Sequence, residues 1–533
     1  MTRLVDLTKA VLTMMAIGLQ GCGGNPPPPM SVAGPSSFTV QKIVDAEHWS
    51  CIGLVDLDAD DQLELVLFRH DEMRIVDPLA PARMKASYLL DDYQGGDLGC
   101  TATDLDGDGK TDLVVVGART GVALMNKGKL RFETVSLPLF PEAGGSIPFA
   151  VAPIPAAAGG LPDLYVVRNM VANGELFVAD GCAVGKDGEF LCGIPGKLYP
   201  GRPNLVLHNL NGTAWEIADS TGAEDPRQNQ AVAVVDVDGD GLQDLVVADD
   251  ASTNRIFRNR GSRKFEDVTV EWGLTMSNHG MGVAAGDLDG DGRLDFAFSE
   301  IGRPLVVLGS PHGFRQLGAD RGFGKSAGWA WGVAMEDFDN DGDLDILYEG
   351  VVPTPAVWKT MCSNCGMEKL PRRELVLYRN DGARNDGAGI HFTTEEPAPL
   401  PTNDPAPDAQ RVGGGTALAV ADIDHDGVLD AVVLRQAASD PDLADAWLLR
   451  GTLTTDHHSL AVAAPQGARV TACVNSDCQS REVLGADSYR AFRPAEVHFG
   501  LGSAPSAEVS VEFPHGHIVK LGSRNAGFYN FKP

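Results

Sequence analysis

Asp236-Val-Asp-Gly-Asp-Gly-Leu-Gln-Asp244 is the stretch whose reading decides the fold. Three carboxylates on alternate positions, Asp236, Asp238 and Asp240, converge on one hard cation only if the backbone turns sharply, and Gly241 tolerates the positive φ such a turn needs. The turn then presents the main-chain carbonyl of Leu242 at position 7 and a fourth carboxylate, Asp244, at position 9. All-oxygen ligation of this kind suits Ca²⁺ and is a poor match to softer metals.

A helix–loop–helix calcium hand shares the first half of this pattern but needs a bidentate Glu at position 12 and a helix on either side. Position 12 here is Val247, and the flanks Ala231–Val235 and Leu245–Ala248 are short, β-branched and apolar. They read as strands, so the loop joins two β-strands.

Copies of the loop fix the architecture. Asp56, Asp58, Asp60, Gln62 and Glu64 form the first, with Asp61 in place of the turn glycine and Glu64 in place of the ninth-position Asp. The second is Asp104, Asp106, Asp108, Lys110 and Asp112. After the opening copy come Asp287, Asp289, Asp291, Arg293 and Asp295; then Asp337, Asp339, Asp341, Asp343 and Asp345; then Asp422, Asp424, Asp426, Val428 and Asp430. In each set the seventh-position residue offers its main-chain carbonyl. Neighbouring copies recur roughly every fifty residues, the signature of a repeat architecture. In the wide gap before Asp236, Pro162-Asp-Leu-Tyr-Val-Val167 matches the strand that follows a loop. Aligning Asp163 with position 9 puts Pro155, Ala157 and Gly159 where carboxylates belong, so this is a seventh repeat without its metal.

A second signal follows each loop and strand, as in Val122-Ala-Leu-Met-Asn-Lys-Gly and Arg255-Ile-Phe-Arg-Asn-Arg-Gly, where Asn and Gly mark a tight hairpin between strands three and four. One repeat is therefore a four-stranded antiparallel sheet, and seven around an axis make a β-propeller. The recurring apolar strand, DxDGDGxxD loop, apolar strand and Phe-containing strand resembles the FG-GAP or VCBS repeat of the integrin α-subunit propeller. The resemblance implies an all-β, seven-bladed, calcium-binding propeller over residues 37–452 with about six structural Ca²⁺ sites. The last repeat lacks a fourth strand, and Ser37-Phe-Thr-Val-Gln-Lys-Ile-Val44 is expected to supply it and latch the ring.

Residues 453–525 contain no such loop. Val497-His-Phe-Gly-Leu-Gly502 carries an HFGLG signature that resembles the small β-rich ASPIC/UnbV domain, which accompanies these repeats in the cartilage acidic protein family. Residues 526–533 read as a tail.

The ends and the cysteines address compartment. Residues 1–21 hold Arg3, Lys9 and an apolar run too short to span a membrane, then Leu19-Gln-Gly-Cys22, similar to a bacterial lipobox. Residues 22–36 include a tetraproline, a stiff tether. The reading is an exported chain, lipid-anchored through Cys22 to the cell envelope or secreted. The remaining cysteines, Cys51, Cys100, Cys182, Cys192, Cys362, Cys365, Cys473 and Cys478, are even in number and favour disulfides in an exported chain. Three pairs are close neighbours, while Cys51 and Cys100 each lie just before a loop. The net charge of -30 excludes the basic footprint of a nucleic-acid binder.

No nucleophile elbow, zinc-protease helix or dinucleotide fingerprint is present, so no catalytic residue is named. His279 precedes a first strand, His498 reads as packed, His425 is a non-ligating loop residue, and His515 and His517 flank a hairpin glycine. Trp329 and Trp331 lie near the loop at 337 and are read as core packing, with lining of the channel mouth as the alternative. Two insertions, about 168–203 and 351–412, are the long loops on which recognition commonly sits. The expected function is a calcium-stabilised surface module binding a protein or glycan. The rivals are a hydrolase or lyase acting on a polysaccharide in the central channel, and a structural module of a surface assembly. A cluster of His, Tyr, Arg and carboxylate at one channel mouth would favour the enzyme.

Overall fold

Alternating apolar strands and acidic turns fold as the repeat predicts: in this computed structural model the chain is almost wholly β, with strands making up 57% of it. The structure describes residues 38–531 except 70, 82, 91–98, 118–119, 140–145, 157–159, 172–181, 185–189, 193–201, 251, 276–278, 301–302, 324–328, 353–373, 385–388, 398–412, 438–439, 487 and 515.

Blade 1 comprises Trp49–Val55, Glu64–Arg69, Glu72–Val76 and Met84–Leu89. Blade 2 is Gly99–Thr103, Asp112–Val116, Gly121–Asn126 and Phe132–Leu137. Blade 3 is Ser146–Ile154, Asp163–Val171, Leu205–Asn209 and Trp215–Ile217. Blade 4 is Asn229–Val235, Asp244–Asp249, Arg255–Asn259 and Phe265–Asp267. Blade 5 is Val283–Gly286, Asp295–Phe298, Leu305–Ser310 and Gly313–Gln316. Blade 6 is Trp329–Glu336, Asp345–Val352, Leu375–Arg384 and Gly389–Glu395, so the stretch 351–412 read as one insertion contains the blade's third and fourth strands, which pair as the ladder of the blade requires. Blade 7 is Gly413–Ala421, Asp430–Ala437 and Asp440–Gly451.

Each first strand packs beside the first strand of the next blade, and that of blade 7 beside that of blade 1, so the ring closes. Blade 7 borrows its fourth strand. Phe38–Glu47 pairs antiparallel with Asp440–Gly451, Phe38 opposite Gly451, which is the latch expected from sequence. Glu47 at its end is bound by Arg69 and Arg74 of blade 1, and both guanidinium groups lie over the ring of Trp49. Cys51–Cys100 links the first strands of blades 1 and 2. The core lies between blades, as in the cluster of Ala231, Val246, Ile256, Phe296, Phe298 and Val307 from blades 4 and 5.

The C-terminal domain is a small β-structure. Arg469–Val474, Asp477–Glu482, Ser506–Glu512 and Ile518–Asn525 form one sheet; His458–Ala463, Glu496–Gly502 and Gly527–Asn530 form another. Gly527–Asn530, placed in a tail by the sequence reading, pairs parallel with His458–Ala463 and belongs to the domain. Cys473 and Cys478 close a hairpin, directly opposite one another.

Between these sheets, Leu484–Arg493 leaves the domain and fills the propeller's central channel. Gly485 accepts a hydrogen bond from Thr101 Oγ1 of blade 2 at 3.3 Å, Ser488 N–H donates to Val283 O of blade 5 at 2.8 Å, and Arg490 O accepts from Ile52 N–H of blade 1 at 3.2 Å. Tyr489 stacks between Trp331 and Phe149, 5.0 and 6.1 Å between centroids. The segment then returns as Ala491–Phe492, parallel to Ile52–Gly53, and Arg493 pairs with Glu336. Gly53 is obligatory: a Cβ there would lie 2.1 Å from the Phe492 ring. The channel expected from sequence as a place for a substrate is therefore occupied by the chain itself, and Trp331 lines it as part of the packing.

Candidate functional site

The loops between first and second strands share one geometry. In blade 4, Asp236 accepts hydrogen bonds from the N–H groups of Asp240 at 3.0 Å and Gly241 at 2.9 Å, and Asp240 accepts from Leu242 N–H at 3.0 Å. These contacts curl the chain so that the carboxylates face one another. One oxygen each from Asp236, Asp238 and Asp244 lies within 4.8 Å of the others, and the same holds for Asp56, Asp58 and Glu64; Asp104, Asp106 and Asp108; Asp287, Asp289 and Asp291; and Asp337, Asp339 and Asp345.

Burying such a cluster disfavours its charge: desolvation pushes Asp244 and Asp295 up to about 8, and Asp337 and Asp430 to about 7. One oxygen of Asp289, Asp339 and Asp424, each at position 3, is buried with no hydrogen-bond partner. Unpaired buried carboxylate oxygens facing other carboxylates fit a cation, and the all-oxygen set fits a hard one. Positions 1, 3, 5 and 9 and the seventh carbonyl would hold it. A bound Ca²⁺ would supply neutralising charge and fix the turn. A basic side chain on strand three or just after it also reaches the position-3 carboxylate: Arg258 lies 2.5 Å from Asp238, Arg379 3.3 Å from Asp339, and Lys127 3.7 Å from Asp106.

The ninth-position acid also braces neighbouring backbone. Asp244 accepts from Val237 N–H in its own loop and from Asn259 N–H at the end of strand three, at 3.0 and 2.6 Å. That strand-three Asn reaches further. Asn126 Nδ2 donates to Leu57 O in the blade 1 loop at 2.8 Å, Asn209 to Leu105 O in the blade 2 loop at 2.9 Å, and Asn380 to Leu288 O in the blade 5 loop at 3.1 Å. Each of these asparagines ties its own blade to the previous blade's loop. Blade 3, expected to lack metal, keeps Asp163, and the protein supplies a cation to it, Arg263 Nε at 2.6 Å, with His208 Nδ1 at 2.9 Å beside it.

The C-terminal domain sits on this loop face. His498 Nε2 meets Asn340 Oδ1 at 2.7 Å and Gly502 N–H donates to Asn340 O at 2.9 Å. A Cβ at Gly500 would lie 2.0 Å from Asp337 Oδ2, so the glycine is what lets the two chains approach. Burial pushes the His498 imidazole down to about 3, keeping it neutral against the loop. Glu482 accepts from Asp236 N–H at 3.1 Å, Ser459 Oγ donates to Gly427 O at 2.7 Å, and Asn530 Nδ2 donates to Asp61 Oδ1 at 2.8 Å. The HFGLG signature is thus a clasp on the blade 6 loop.

A second polar group lies at the opposite end of blades 4 to 6. His279 Nδ1 donates to Asp250 O at 2.7 Å and lies 3.3 Å from Asp250 Oδ1, while Gln230 Nε2 donates to Asp250 Oδ2 at 3.4 Å. Burial lowers the His279 pKa, but the Asp250 carboxylate and Glu300 reverse this and leave it raised. Burial pushes Glu300 up to about 8 against the pull of His279 and Arg303, and Tyr348 bonds the Glu300 backbone across the blade boundary. A folded-state value above the unfolded one means that this contribution to stability is full below about pH 4.5 and is lost as pH rises toward 8. Thermal unfolding of Glu300→Gln is therefore expected to lack about 2 kcal/mol of the wild-type decline between pH 5 and 8; parallel pH profiles would refute the buried-acid assignment.

An FG-GAP-like repeat is recognised at residues 236–298 and an ASPIC and UnbV domain at residues 461–527. The chain carries both. Human cartilage acidic protein 1 is 24% identical over 511 residues, covering 89% of this chain and 69% of that protein. The Xenopus tropicalis protein of that name is 23% identical over 504 residues, covering 88% and 70%. Solved structures with similar architecture include an Agrocybe aegerita lectin that recognises non-reducing terminal N-acetylglucosamine, with TM-score 0.39 and 16% identity over 76% of this chain and 92% of the lectin. YCF48 bound to a D1 peptide gives TM-score 0.41 and 10% identity over 80% and 98%.

The two described disulfides are those of a protein that folds outside the reducing cytosol, an extracellular protein. Cys182 and Cys192 stand opposite one another in the Cys182–Val184 and Phe190–Cys192 hairpin. Cys22, Cys362 and Cys365 lie outside the described residues. His425, set aside as non-ligating, donates from Nε2 to Asp61 O at 2.7 Å and packs on Phe528. The sequence reading took the strand-three asparagines for turn formers alone; their fixed place before each Gly was the available signal. Lys85, Arg258 and Arg379 carried no such signal, because strand pairing brings them to the loops.

Proposed function

We propose that the chain is an extracellular binding module, stiffened by calcium, that engages a protein or glycan partner through the face opposite its metal loops. One observation carries this reading: the C-terminal domain grips loops of blades 1, 4, 6 and 7 and the channel is filled, whereas the strands that lead into the two insertions, Asp163–Val171 and Asp345–Val352, end on the other face. First strands run toward the loops and second strands run back, so the connections after Asp163–Val171 and after Asp345–Val352 start on the opposite face. Long loops on a rigid scaffold commonly carry recognition, and stapling such a loop reduces the order lost on binding. Capture of a partner from a cell-surface extract is expected with the full chain and is expected to fail when residues 172–201 or 353–373 are replaced by Gly-Ser linkers. Capture indifferent to both replacements would overturn the assignment of the face.

A second reading is favoured by the group formed by Asp250, His279, Glu300 and Tyr348. An imidazole oriented through Nδ1 beside a carboxyl that holds its proton near neutrality is an acid–base pair. It stands between blades rather than in the filled channel. Turnover of polysaccharides that is abolished by both Glu300→Gln and His279→Ala would establish an enzyme.

A further inference from the structure

We infer that blade 1 holds no calcium and that the ammonium of Lys85 takes the ion's place. This rests on the calcium reading of the other loops. Glu64, the ninth-position acid, is fully buried; its Oε2 accepts Leu57 N–H at 2.8 Å and its Oε1 is paired with Lys85 Nζ. The same ammonium lies 4.0 Å from Asp58 Oδ2. It therefore bridges positions 3 and 9, where an ion would sit, and Lys85 comes from the strand Met84–Leu89 of the same blade.

Three comparisons within the molecule support this assignment. In blades 2, 4, 5 and 7 the ninth-position acids Asp112, Asp244, Asp295 and Asp430 accept backbone N–H groups from their own loop and from strand three. In blade 3, where the loop has no carboxylates left to share an ion, Arg263 charge-pairs with the ninth-position Asp163, and His208 Nδ1 meets the same carboxylate at 2.9 Å. Blade 1 follows blade 3. Blade 6 is intermediate: Arg379 lies 3.0 Å from Asp345 but is shared with Asp339 and Glu395, and Asp339 keeps a buried oxygen without a partner.

The turn agrees. Asp61 replaces the glycine and sits at φ 61°, a conformation costly for a residue with a Cβ. It is held there from outside: His425 meets its carbonyl oxygen at 2.7 Å and Asn530 its side chain at 2.8 Å. Protein contacts at the seam between blades 7 and 1 fix this loop without an ion.

The test is calcium content per chain, by elemental analysis after equilibration with Ca²⁺ and gel filtration. Asp56→Asn is expected to leave the content unchanged, Asp104→Asn to lower it by one ion, and Lys85→Met to raise it by one. Loss of an ion in Asp56→Asn, or no gain in a folded Lys85→Met, overturns the inference. Where Lys85→Met does not fold, Asp56→Asn decides alone. A wild-type chain without calcium overturns the metal reading of all the loops, a separate outcome visible before any variant is made.

Discussion

Removal of calcium by a chelator is expected to lower the midpoint of thermal unfolding by roughly 20 °C, and re-addition to restore it. A site saturated at about a hundred times its dissociation constant stabilises the fold by ~2.7 kcal/mol, so five sites together contribute ~10 kcal/mol or more. At about 2 °C per kcal/mol for a chain of this size, a shift of this order follows. The loops concerned bury carboxylates against one another, with unpaired oxygens on Asp289, Asp339 and Asp424. They also form the surface that His498, Gly500 and Glu482 grip, so loosening them weakens the hold on the C-terminal domain. Scanning calorimetry with and without chelator checks this; equal midpoints would remove the metal reading.

Replacing Leu484–Arg493 by a Gly-Ser linker of equal length is expected to cost more than 10 °C of the midpoint and to expose the propeller to proteolysis. Phe492 and Tyr489 are 2% and 3% exposed, packed inside the ring. Truncation of one buried aromatic side chain alone costs ~3–5 kcal/mol. Phe492→Ala is the milder form and is expected to fall between. A linker variant that melts with the wild type would show that the ring is indifferent to its filling.

The ring was legible because its code is local. Asp236–Asp244 states its own geometry, its copies state the period, and the missing fourth strand of blade 7 left Ser37–Val44 as the candidate to fill it. HFGLG marked a domain, and its role as a clasp appeared only when Asn340 was found against His498. The channel segment, Val483-Leu-Gly-Ala-Asp-Ser-Tyr-Arg-Ala-Phe492, has no alternation and no turn signal of its own. Its conformation is set by seven blades distant in sequence, and nothing within ten residues announces that. The same holds for Lys85, whose meaning depends on Glu64 across a sheet, and for Glu300, whose proton is held by burial between blades against the pull of His279.

The latch imposes an order of events on synthesis. Phe38–Glu47 is made some 400 residues before its partner Asp440–Gly451, about 20–80 s earlier at ordinary elongation rates. Throughout that interval the nascent chain carries an unmatched strand at its leading end, an edge that invites pairing with the wrong neighbour. Leu484–Arg493 is made later still. A ribosome that stops short of it releases a hollow ring, so this late segment decides whether the earlier blades have anything to close around.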